Sequence, residues 1–116
     1  MKKIINIKLY NNDQIVKEYN NVNSIHKDET YTMILDDVKT IINKDYLKRE
    51  TNEYEFVLDI NKKNAIYTLK MNNTTFDIDV EKVMYKCIEN NIILDYEISS
   101  EEGHLKIIIE TGVDNE

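Results

Sequence analysis

Few side chains in this chain could do chemistry, and Arg49 leads them as the lone arginine among 15 basic residues. It stands two positions after Leu47 in the run Tyr46-Leu47-Lys48-Arg49. In a strand, residues i and i+2 share a face, so if Leu47 faces a core, Arg49 does too. A buried guanidinium needs a partner, because an unpaired buried charge is costly. That partner is either an acidic side chain or backbone carbonyls at the end of the barrel, or a ligand carboxylate or phosphate gripped at two points; an Arg49 exposed on the surface is the third reading. Tyr31, Tyr54, Tyr67 and Tyr96 lie on the apolar faces of predicted strands. A tyrosine has an apolar ring and a polar tip, so it suits the wall of a ligand cavity as well as the edge of a core. These five residues are the candidate binding set, for a small apolar or anionic molecule.

The remaining groups point to no catalytic set. Asp77, Asp79 and Glu81 share one face of a predicted strand. Neighbours at i and i+2 are roughly 6.5–7 Å apart, too far to hold one small ion unaided, and a solvated outer face accounts for them. His26 and His104 flank predicted turns with no third ligand at zinc spacing. Cys87 is the single cysteine, so it forms no internal disulfide; set against a nucleophile pair with either histidine, it reads as a buried, inert thiol. With only two glycines there is no glycine-rich phosphate loop. No metal, no cofactor and no enzymatic activity are expected.

The elements that must position Arg49 and the tyrosines are strands. The chain has 116 residues, 41% of them hydrophobic, enough for one domain that buries roughly two-thirds of its unfolded surface. Isoleucine, valine and threonine dominate, there is a single alanine, and proline is absent. β-Branched side chains lose rotamer freedom in a helix and pack well on a pleated sheet. Alternation is clean in Ile5-Ile7-Leu9, Tyr54-Phe56-Leu58-Ile60, Phe76-Ile78-Val80, Ile92-Leu94-Tyr96-Ile98 and Leu105-Ile107-Ile109. A period of two with one wet face marks antiparallel strands over a core. Asparagine and aspartate, which tolerate left-handed backbone, supply the turn signals. They cluster at Asn11 to Asp13, Asn20 to Ser24, Asp36-Asp37, Asn43 to Asp45, Thr51-Asn52, Asn61 to Asn64, Asn72-Asn73, Asn90-Asn91 and Ser99 to Gly103. Two stretches also fit helical spacing: Val38, Ile41, Ile42 and Tyr46, read here as strand, and Val83, Met84, Cys87 and Ile88 within 81–90, left open between helix and strand. The first and last strands are long and apolar, and as free edges they would recruit other chains; pairing them with each other closes the sheet.

Several of these strands resemble a known family. Thr40-Ile41-Ile42, Tyr46 to Arg49, Tyr54-Glu55-Phe56, Tyr67-Thr68, Thr75-Phe76 and Ile92 to Ile98, followed by Leu105 to Ile109, are similar to the YwiB-type family of small bacterial proteins of unknown function. The resemblance runs from about Tyr31 onward and implies a calycin-like, lipocalin-resembling β-barrel, with no catalytic residues to carry over. Where the family has a glycine after the aromatic near Phe76, this chain has Asp77. The expected fold is one all-β domain, an antiparallel up-and-down barrel of about eight to ten strands over 1–112, with a short polar tail at 113–116.

Charge limits the partners. A net −7 with Lys62-Lys63 as the densest internal basic pair argues against nucleic acid and against an anionic membrane surface. Met1-Lys2-Lys3 is followed by alternation where a signal peptide would have a continuous apolar run, and no window approaches the ~20 apolar residues of a spanning helix. The expected location is the cytoplasm. Ile93 and Ile108 fall on otherwise polar faces of neighbouring strands, where together they would form an apolar patch for a partner or a homodimer. Two functions fit: a non-catalytic module holding a small apolar or anionic molecule in the barrel, or an interaction domain whose barrel is filled and whose outer surface does the work. What separates them is whether the interior is hollow.

Overall fold

Ten strands follow one another with no helix among the described residues, which are 2–98 and 104–111 of this computed structural model. They are β1 (Lys2–Asn11), β2 (Gln14–Lys27), β3 (Thr30–Leu35), β4 (Val38–Ile42), β5 (Tyr46–Glu50), β6 (Tyr54–Asp59), β7 (Asn64–Leu69), β8 (Thr74–Ile88), β9 (Asn91–Ile98) and β10 (His104–Glu110). Each pairs antiparallel with the next, and β1 pairs with β10 from Asn6↔Glu110 to Asn11↔Leu105, so the sheet is a closed up-and-down barrel. The expected closure of first strand on last is therefore present, and both helix-ambiguous stretches are strand. The break at Ser99 to Gly103 and the tail at 113–116 lie outside the described residues.

Acidic and amide side chains make the tight turns without glycine. Asn12-Asp13, Asp28-Glu29 and Asp36-Asp37 each form a two-residue loop with φ positive at both positions. That backbone matches the twist of the flanking strands, and Asn and Asp tolerate it best after glycine. Glu29, at φ 62°, is the least favourable residue of the six for this conformation.

The Asn20 to Ser24 turn is corrected: β2 runs through it unbroken. Opposite Asn6 of β1 stand two residues of β2, Asn20 and Asn21, between the pairs Ile7↔Tyr19 and Ile5↔Val22. This is a bulge. Asn21 takes φ 57°, and its N–H donates to Oδ1 of Asn6 at 2.9 Å. A bulge moves the inward face by one residue. Tyr19 and then Val22 and Ser24 therefore turn toward the core. Glu81 does the same in β8, between Val80↔Ile98 and Lys82↔Glu97. Inward positions pass from Ile78 and Val80 to Val83 and Tyr85, and this phase change is what imitates helical spacing at 81–90.

The core lies inside the barrel. Ile5, Ile7, Ile42, Leu47, Leu58, Leu94 and Ile109 are fully buried. The rows set by the ladder read Tyr31-Ile42-Leu47-Leu58-Ala65-Ile78 and, one layer along, Met33-Thr40-Arg49-Phe56-Tyr67-Phe76, the second row ending outside the core, where Phe76 is exposed.

Candidate functional site

Arg49 points inward, as its spacing from Leu47 requires. It lines a cavity of about 20 Å³ with Thr40, Leu47 and seven other apolar residues that include Ile7, Leu35 and Ile107. A volume of that size holds about one water. Nε of Arg49 is buried with no hydrogen-bond partner among the described residues. Thr40, its neighbour on β4, donates its hydroxyl to the Val38 carbonyl at 3.2 Å. The Arg49 charge is felt by Tyr19, Asp36 and Tyr96. At the adjoining end of the barrel the Tyr19 hydroxyl donates to Asp36 at 2.6 Å, and Lys17 Nζ sits 3.4 Å from the same carboxylate. The hydrogen bond from Tyr19 and the neighbouring Lys17 hold the Asp36 carboxyl below its usual range.

The four tyrosines do not form one belt. Tyr54 and Tyr67 stack at 5.3 Å, with Phe76 tilted against Tyr67 at 6.4 Å, beside Arg49 on the same end of the sheet. Tyr96 is buried in the core, and burial pushes its hydroxyl up to about 12. Tyr31 lies one layer away and stacks on His26 at 4.2 Å. Tyr31 and Tyr96 belong to the buried core, whereas Tyr54 and Tyr67 are half-buried outside it; spacing alone could not place the four around the circumference.

His104 bonds Asp95, and His26 is held against Tyr31, so neither histidine is engaged with Cys87. Cys87 is exposed, which corrects the expected burial: beyond Glu81, β8 is paired on the β9 side only. Asp77 and Glu81 are exposed on the outer face, and no group of three metal-ligating side chains occurs among the described residues. Ile93 and Ile108 are direct partners across β9 and β10 on the outer face, as expected, but both are half-buried between Lys86 and Lys8 on the adjoining strands. Lysine stems cover apolar surface in this way.

A large concavity lies on the outside, where β2 and β3 part. Their ladder runs only from Ser24↔Met33 to Lys27↔Thr30. Beyond Ser24 the bulged β2 follows β1 and leaves an open groove of about 790 Å³ lined by Tyr19 to Ile25, Thr32 to Ile34, Lys2 and Lys39. Ile34 is 69% exposed and Ile25 56%. Sequence reasoning missed this groove; its signal was the Asn20-Asn21 pair, read as a turn. Compared with known proteins, the chain matches no family model, no curated protein and no solved structure.

Proposed function

We propose that this protein is an interaction domain whose barrel is filled and whose outer surface, at the parting of β2 and β3, receives a partner. One contrast supports the reading: the internal cavity beside Arg49 is about 20 Å³, while the solvent-open groove outside is about 790 Å³. Ligand sites normally enclose several hundred cubic ångströms, so an organic molecule would find no room in that cavity without unpacking the core around it. The ten-stranded barrel is also consistent with the YwiB-type resemblance, and a cytoplasmic location fits a chain in which no described helix is long and apolar enough to cross a membrane. Native mass spectrometry of the freshly purified protein tests the proposal. The expected spectrum carries the mass of the polypeptide alone, and a stoichiometric small molecule retained on it would overturn the reading.

The partnerless Nε of Arg49 favours a second reading, a single small anion in the internal cavity. Against it, an unpaired buried donor is a cost that removal relieves. Arg49→Met should therefore leave the unfolding free energy within about 1 kcal/mol of the wild type, or raise it. Formate and phosphate should leave both melting temperatures unchanged. Stabilisation by formate in the wild type, lost in Arg49→Met, would establish the anion site instead.

A further inference from the structure

Resting on that proposed function, we infer that the groove takes an extended, acidic segment of a partner protein, laid as an added strand along the open edge of β2. The edge is real: from Gln14 to Asn23, β2 is paired with β1 alone among the described residues. The groove spans a cleft closed at one end by the Ser24↔Met33 pair and at the other by the Tyr19–Asp36 hydrogen bond. Between these, Asn20 to Asn23 have no ladder partner on the β3 side, and Ile34, paired with Lys39 of β4, has none on the β2 side; an unpaired strand edge is what an incoming strand uses for affinity. Alternate side chains of such a strand would meet Ile25 and Ile34, the most exposed apolar side chains of the groove.

Charge specifies the partner. The chain has 22 acidic residues, yet the groove lining contains two lysines, Lys2 and Lys39, and the carboxylate at its end, Asp36, is engaged by Tyr19 and Lys17. Neither lysine has a carboxylate within 4.0 Å among the described residues. Lys39 stands across from Glu50, but that carboxylate is taken by Lys70 at 2.6 Å and approached by Lys48 at 3.9 Å. The net charge of −7 opposes an acidic partner at long range, but a screening length of about 8 Å in physiological salt leaves the local lysines in control. The open edge that a second copy of this chain would present carries Lys17 and Glu18 and is neutral overall, so it is not the acidic segment the groove selects.

The test uses the full chain and two short blocked peptides, one alternating valine with glutamate and one alternating valine with lysine, followed by amide NMR. The glutamate peptide should give saturable shifts at Tyr19 to Asn23 and Ile34 and slow hydrogen exchange there. The lysine peptide should bind at least about tenfold more weakly, and the double variant Lys2→Glu/Lys39→Glu should reverse that order. Equal binding of the two peptides overturns the acidic class and leaves the interaction-domain reading intact. Shifts elsewhere, or none, overturn strand addition. Concentration-dependent shifts of these amides without peptide replace the partner by a second copy. A small molecule retained in the native mass spectrum is the separate result that removes the proposed function itself.

Discussion

Leu47→Ala should lower the stability of the barrel by about 3–5 kcal/mol and, at the same time, turn an interior that excludes small molecules into one that admits them. Leu47 is 0% exposed and lines the internal cavity beside Arg49, so deleting its branched end removes packed apolar surface and enlarges a void that already exists. The close-packed β-sheet around it relaxes only in part, because Leu58 and Ile42 on either side are held in register by their own ladders. A domain of this size has total stability on the order of 5–15 kcal/mol, so urea midpoints will show the loss plainly. Lys62→Ala, in an exposed turn, should change it by less than about 0.5 kcal/mol. Benzene or xenon should then raise the melting temperature of Leu47→Ala and leave that of the wild type where it is, since apolar cavities of sufficient size stay dry and take up such probes. If the wild type responds as the variant does, its interior is hollow and the outer-surface reading falls.

That same packing marks how far the residues alone can be read. The period-two faces of β1, β6, β9 and β10 were legible because each strand keeps one phase from end to end, so Ile5, Leu58, Leu94 and Ile109 identify themselves as core. Closure was legible too, from two apolar terminal strands that could not be left as edges. The bulged strands were not. A single extra residue, Glu81 in β8 or one of the Asn20-Asn21 pair in β2, exchanges inward for outward positions, and to a period count this resembles a helix or a turn. The Asp28-Glu29 hairpin was missed because glutamate is a poor signal for left-handed backbone, although the loop takes φ 51° and 62° there. Arg49 was placed inside by parity with Leu47, but whether it faced a ligand chamber depended on the summed volumes of side chains from other strands. The groove depended on where two strands part, a property no single segment carries.

Loss of stability at alkaline pH, governed by Tyr96, is the second large effect. Burial pushes the Tyr96 hydroxyl up from 10 to about 12, with Arg49 pulling weakly the other way. Tyrosine is neutral when protonated, so the folded state holds its proton more tightly than the unfolded chain does. The contribution is fully present below pH 10, shrinks as the unfolded state begins to ionise, and is gone once pH passes about 12. A shift of that size corresponds to about 3 kcal/mol. Tyr19 and Tyr85 are raised to about 12 by partial burial and act in the same direction, but solvent screens both and their shares are smaller. Unfolding free energy measured in urea from pH 8 to 12 should therefore stay level to about pH 10 and then fall steeply. Tyr96→Phe keeps the ring and discards the ionisable group, so it should flatten most of that fall while leaving stability at pH 8 within about 1.5 kcal/mol of the wild type. An unchanged alkaline slope in Tyr96→Phe would mean that Tyr96 is not held in a dry core, and with it would go the filled interior on which the proposed function stands.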